Sequence, residues 1–151
     1  MPQSLAKIYV HIIFSTKNRA QFLADEEFRN HAHAYLAGIF NANDSPALVV
    51  GGVADHVHAL CLLSKTEKLA DLIGMVKRSS SKWLKTQDGN LGEFAWQNGY
   101  GAFSVSYSSV TRVRNYILNQ ETHHAKVSFQ DEFRKFLKRH AVEYDERYVW
   151  D

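Results

Sequence analysis

The chain has 151 residues, 45% of them hydrophobic, with 18 Lys and Arg against 16 Asp and Glu for a net charge of +2. That length suits one domain that buries its own core, while two Pro and eight Gly exclude a collagen-like or Pro/Gly-rich disordered chain. The single cysteine, Cys61, excludes an internal disulfide and points to a reducing compartment, and no apolar stretch reaches the ~18–20 residues of a membrane span.

Leu5–Phe14 is the first clear element. Ile8, Val10, Ile12 and Phe14 alternate with Tyr9, His11 and Ile13, so the run reads as a central strand with apolar groups on both faces. The opening carries a His inside its apolar part and lacks a small-residue cleavage pattern, so it does not read as a signal peptide. A basic break, Ser15 to Arg19, leads to Asp25, which can cap a helix whose first turn holds Glu26 and Glu27. Phe28, Ala32, Tyr35, Leu36, Ile39 and Phe40 recur at helical spacing and predict an amphipathic helix over 25–41. Two apolar runs, 47–53 and 56–63, flank Ala54-Asp55 and predict an antiparallel pair, with Gly51-Gly52 loosening one end.

Ser64 and Glu67 have capping-box spacing ahead of a helix that carries Leu69, Leu72, Ile73, Val76, Trp83 and Leu84 inward and runs to about Gln87. Short strands are expected at 94–96 and 102–107, around Gly99-Tyr100-Gly101. Ser109 can cap a third helix, about 109–124. Ser128 with Asp131 opens a last one that directs Phe129, Phe133, Phe136 and Leu137 inward. His140–Asp151 reads as an extended tail. The expected class is α+β: a ferredoxin-like or RRM-like β-α-β-β-α-β antiparallel sheet with helices on one face and an appended tyrosine-bearing helix, forming one cytoplasmic domain over 1–151.

The sharpest chemical feature is Asp55-His56-Val57-His58. Residues two apart on a strand share a face, so His56 and His58 present adjacent imidazoles, most of a divalent-metal site if a third ligand approaches. Alone, such a pair is more often structural than ligating. Downstream, Tyr116 and Gln120 lie four apart on one helix face, beside Val113 and Ile117. A buried tyrosine bonded to an amide is the bland reading. A phenol beside a cation, with Gln supplying a neutral oxygen ligand, is the chemical one.

Together these residues resemble the single-tyrosine HUH transposases of bacterial insertion sequences, the TnpA type, with the related REP-associated tyrosine transposases. The resemblance runs from Lys7-Ile8-Tyr9-Val10-His11-Ile12-Ile13-Phe14-Ser15-Thr16-Lys17, through Asp55-His56-Val57-His58 and Gly99–Ser106, to Tyr116-Ile117-Leu118-Asn119-Gln120, His123-His124 and Glu143–Tyr148. It implies that His56, His58 and Gln120 bind Mg²⁺ or Mn²⁺. It also implies that Tyr116 attacks single-stranded DNA to form a 5′-phosphotyrosine and release a 3′-hydroxyl. The family further implies a homodimer, in which one subunit's tyrosine helix can complete its partner's metal site, and hairpin recognition at the ends of the element.

Such transesterification conserves the energy of the cut bond, so no ATP is needed, and the chain carries no Walker-type loop. A phenol of pKa about 10 needs a helper at neutral pH; His11, His123 and His124 are the candidates near the expected site. For DNA contact, Arg78, Lys82 and Lys85 lie opposite the inner stripe of the second long helix, with Lys77 nearby, and Lys17, Arg19, Arg112 and Arg114 complete the cationic set. Tyr100, Phe103, Trp83 and Trp96 are candidate stacking rings, Trp83 more naturally a core residue. The alternative is a domesticated hairpin-binding protein that performs no strand transfer. A relaxase, an RNA-binding RRM and a zinc hydrolase fit less well, since no RNP signature or His-Glu-x-x-His motif is present.

Overall fold

The structure is a computed structural model and describes residues 2–151. Strand β1 (Tyr9–Ser15) is buried along its whole length, as a run with apolar side chains on both faces requires. It lies inside a four-stranded sheet of order β2-β3-β1-β4, with every neighbouring pair antiparallel. β2 (Ala47–Val53) and β3 (His56–Leu62) form the expected hairpin, and β4 (Gly101–Val105) pairs on the far side of β1. Pairing starts at Tyr9 rather than at Leu5 because both partners of β1 end opposite Tyr9, at Leu62 and Val105.

Helix α1 (Glu26–Ala42) is capped by the Asp25 carboxylate, which accepts from Phe28 N at 2.9 Å. Helix α2 (Leu69–Gln87) begins after Lys68 without a side-chain cap, so the capping box expected at Ser64 and Glu67 does not form. Ser64 is committed elsewhere: its N–H donates to Ser45 Oγ and its hydroxyl accepts from Thr66 N. Phe94 and Trp96 are core residues, and this segment is joined to the sheet by the isolated Thr16–Trp96 bridge rather than by a strand of its own.

The third predicted helix divides. α3 (Val110–Leu118) ends at Asn119, whose φ −101° and ψ 22° interrupt it, and α4 (Gln120–His124) resumes. Ser109 does not cap α3; its hydroxyl accepts from Arg112 instead. α5 (Phe129–Arg139) starts as expected, Ser128 Oγ accepting from Asp131 N at 3.2 Å. The tail is not simply extended. Trp150 packs on Phe129 and Phe133, and the Asp151 carbonyl accepts from Gly99 N, so the chain end folds back.

Strand alternation sorts the core into two faces. Val10, Ile12, Phe14, Val57, Ala59 and Cys61 meet α1 and α2 in one cluster. On the other face Tyr9 and Leu60 meet Ile117 of α3, while Ile13 and Phe103 meet Phe129, Phe133 and Leu137 of α5. The βαββαβ unit is thus ferredoxin-like in strand order with α1 and α2 on one face, and the appended helices cover the other. This second face is the one onto which His11, His56 and His58 project.

Candidate active site

In the β1–β3 register, His58 lies opposite Ile13 and His56 opposite Ser15, both deep under α3–α5. Both imidazoles are fully buried, at 0% exposure, so every ring nitrogen needs a partner from the protein. His56 Nδ1 is 2.7 Å from Asp55 Oδ1 and His58 Nδ1 is 2.8 Å from His11 Nε2. These contacts turn both Nε2 atoms toward one point, the carboxylate of Glu132 on α5. Glu132 Oε1 lies 3.0 Å from His58 Nε2 and 3.4 Å from His56 Nε2.

A third ring joins them from α4. His124 Nδ1–H donates to Val127 O at 2.6 Å, leaving Nε2 as the open position. That Nε2 is 3.1 Å from Glu132 Oε1 but not aligned for a hydrogen bond, and it is buried with no other partner. Gln120 Oε1 approaches His56 Nε2 at 3.2 Å. The donor atoms of His56, His58, His124 and Glu132 all lie within 4.8 Å of one another.

The donor set fits a cation. Metal–ligand bonds of about 2.1 Å place neighbouring donors roughly 3.0 to 3.4 Å apart in octahedral or tetrahedral sites, the range observed between Glu132 Oε1 and the three Nε2 atoms. The second nitrogen of each ring is held by a carboxylate, another imidazole or a backbone carbonyl, as outer partners of metal-binding histidines commonly are.

Tyr116, near the C-terminus of α3, meets the same carboxylate from the other side. Its hydroxyl donates to Glu132 Oε2 and lies 3.3 Å from His123 Nε2. The Gln120 amide also donates to Oε2, at 3.2 Å. The ring centroid of Tyr116 is 5.9 Å from that of His58. α3 can come this close because β2 offers Gly51 beneath it: a Cβ there would sit 2.6 Å from the Ile117 carbonyl oxygen. Gly52, at φ 147°, keeps the strand end in a conformation that favours glycine.

The charges in this nest oppose one another. Burial favours a neutral Glu132, but the imidazoles of His124, His56 and His58 hold its carboxyl far below the usual range. Burial lowers His56, yet its bonds to Asp55 and Glu132 outweigh that and push it up to about 9. Burial dominates at His58, pushed down to about 4, and at His11, also lowered. The Tyr116 phenol is raised well above its ordinary value by burial and then by the adjacent Glu132 carboxylate.

All four residues expected from sequence converge: His56, His58, Tyr116 and Gln120 meet in one nest, and His11 stands behind His58. Glu132 was missed in the sequence, although a legible signal existed. Phe129, Phe133, Phe136 and Leu137 define the inner stripe of α5, and position 132 falls on that stripe, where a carboxylate needs a reason. His124, a candidate helper by sequence, supplies a donor atom of the cluster itself.

The cationic candidates separate. Arg112 lines a cavity beside Tyr116. Arg78 and Lys82 line an open groove with Lys77, Lys85 and residues 95–98, on the α2 side of the sheet. Lys17 and Arg19 occupy the 3-10 turn after β1, with Arg19 over the Trp150 ring at 6.0 Å, and Arg114 is exposed on α3. Trp96 is committed to the core, its indole N–H bonded to Ser80 Oγ at 2.9 Å, and Trp83 stacks on Tyr35 at 4.3 Å.

Comparison with known proteins fits this geometry. The sequence model described as "Transposase IS200 like" matches residues 4–120, a span that contains His56, His58, Tyr116 and Gln120. The chain belongs to the IS200-like transposase family. His124 and Glu132 lie beyond the matched span. Among solved structures, a proposed transposase from Deinococcus radiodurans R1 is 23% identical, with TM-score 0.62 over 80% of this chain and 95% of that one. A REP-associated tyrosine transposase bound to a REP hairpin is 12% identical, with TM-score 0.59 over 84% of this chain and 74% of that one. These two likenesses concern the fold. No curated protein matches the sequence significantly. No helix among the described residues is long and apolar enough to cross a membrane.

Proposed function

We propose that this IS200-like transposase cleaves and rejoins single-stranded DNA by transesterification at Tyr116. The observation that carries the reading is the shared carboxylate: Glu132 touches the phenol with one oxygen and faces three imidazole nitrogens with the other. In this reading Glu132 holds the Tyr116 hydroxyl in place, its proton passes to His123, whose Nε2 lies 3.3 Å away, and the phenolic oxygen attacks the phosphorus. A P–O bond to the tyrosine forms as the bond to the 3′ oxygen breaks. The 3′ oxygen takes up a proton and leaves as a free hydroxyl, while the 5′ end stays on Tyr116. Attack by a 3′-hydroxyl on the phosphotyrosine runs the same step backward and joins strands.

His56, His58, His124 and Glu132 would hold a divalent cation, with Gln120 in reach as a further oxygen donor. Bound there, it supplies Lewis-acid polarisation of the scissile phosphate and offsets the charge of the phenolate. Of Mg²⁺ and Mn²⁺, the imidazole-rich donor set favours Mn²⁺, because Mg²⁺ prefers oxygen ligands. His11 and Asp55 keep the rings of His58 and His56 oriented. The proposed substrate is single-stranded DNA with hairpin ends, a reading supported by the solved relative bound to a REP hairpin. The proposed assembly is a homodimer acting at the nucleoid.

The test is incubation with Mn²⁺ and a labelled oligonucleotide bearing the hairpin and flank from the chain's own genomic element, followed by a denaturing protein gel. A shifted band that disappears in Tyr116→Phe and in His56→Ala supports strand transfer. Hairpin binding without any shifted band supports a binding module and overturns the enzymatic reading.

A further inference from the structure

Tyr116, Phe136 and Arg139 form a shared wall between two cavities. The larger, about 290 Å³, is further lined by Phe103, Arg112 and His140. The smaller, about 170 Å³, adds His123, Glu132 and Lys135. The phenol thus stands between two recesses rather than at the bottom of one. The larger is at the low end of small-ligand sites, room for one unstacked nucleotide and too narrow for a duplex.

The linings suit such an occupant. Phe103, Phe136 and His140 are arranged with Phe103 and Phe136 at 5.5 Å and His140 4.7 Å from Phe103. Phe136 is half-buried and His140 exposed, so ring surface is left for a base. The cations here carry no ion pair. Arg29, Arg134 and Arg147 are each ion-paired, whereas among the described residues Arg112, Lys135 and Arg139 have no carboxylate within ion-pair distance. Arg139 instead lies over the Phe136 ring, 5.9 Å from its centroid.

We propose that the larger cavity seats one nucleotide next to the scissile phosphate, its base against Phe136 and His140 and its phosphate held by Arg112 and Arg139. This rests on the reading that Tyr116 attacks a DNA phosphodiester. It adds how the strand lies: beside the phenol, with one nucleotide unstacked into the larger recess.

The test is binding of a fluorescein-labelled 15-nucleotide oligothymidylate, followed by anisotropy in EDTA so that no cleavage occurs. Arg112→Gln with Arg139→Gln should weaken binding about tenfold and reduce the slope of log affinity on log salt by about 1.4, two contacts at roughly 0.7 each. Lys126→Gln with Lys138→Gln removes equal charge from exposed positions that line neither cavity and should cost under about threefold. Phe136→Leu keeps an apolar side chain without the ring and should weaken binding about fivefold or more with the slope unchanged. The proposal is overturned if the wild-type chain does not bind, if both charge pairs weaken it equally, or if the cavity variants stay within about twofold. Because no covalent product is read, this result stands apart from the adduct assay: a chain that binds as described and forms no adduct loses the enzymatic reading alone.

Discussion

The Tyr116 hydroxyl donates to one oxygen of Glu132, whose other oxygen is 3.0 Å from His58 Nε2. One carboxylate therefore couples the phenol to the imidazole cluster. Glu132→Gln keeps the shape and removes the charge. It should lower the rate of adduct formation about 100-fold and weaken Mn²⁺ binding at least tenfold, since a charged donor is lost. Single-turnover kinetics and Mn²⁺ titration followed by electron paramagnetic resonance measure the two effects. Unchanged Mn²⁺ affinity would remove Glu132 from the donor set.

Gly51 sets how closely α3 approaches the sheet. A Cβ at this position would lie 2.6 Å from the Ile117 carbonyl oxygen and 2.8 Å from Ile117 Cγ2. Backbone cannot yield as a flexible side chain does, so Gly51→Ala should destabilise the fold by about 1–3 kcal/mol and shift Tyr116 away from Glu132. Urea unfolding gives the first number and adduct yield the second. A variant equal to wild type in both would mean that α3 is free to ride outward.

Acid stability should depend on His33. Burial, and then the nearby Arg29 charge, push it from an ordinary 6.5 down to about 4, and its Nε2 has no partner. Between those values the unfolded chain binds a proton that the folded chain does not, so stability falls as pH drops from about 6.5 to about 4. Below about 4 both states are protonated and His33 adds no further loss. His33→Leu should lose less stability than wild type between pH 7 and pH 5, measured as the shift in urea midpoint. Parallel losses would assign the acid sensitivity elsewhere, with the buried His58 the next candidate.

Within one chain the Tyr116 and His58 ring centroids are 5.9 Å apart, so the phenol and the cluster need no second copy to meet. An equal mixture of Tyr116→Phe and His56→Ala chains should therefore yield no adduct, even if the protein is a dimer. Substantial adduct in the mixture would show that α3 and α4 are exchanged between partners, the arrangement that the family resemblance implied.

Much of this was legible in the chain. The alternation through β1 and β3 fixed which face His11, His56 and His58 share, and the four-residue spacing of Tyr116 and Gln120 brought both to that face. The break at Asn119 was not legible, because Tyr116–His124 contains no Pro or Gly and reads as continuous helix. Glu132 hid for a different reason. An acidic residue in a first helical turn is explained by the helix dipole, which masks its place on the inner stripe, and its partner His58 lies 74 residues away along the chain. Ser64 misled because its hydroxyl was spent on a local turn before the helix began.

The account stands on Tyr116 becoming covalently joined to DNA. The most direct measurement is mass spectrometry of tryptic peptides after reaction with Mn²⁺ and a hairpin-bearing single strand, treated with nuclease to trim the bound DNA. The account predicts a nucleotide attached through its 5′ phosphate on the peptide that contains Tyr116, and a free 3′-hydroxyl on the released strand. Cleavage that leaves the Tyr116 peptide unmodified, or an adduct on another residue, contradicts it.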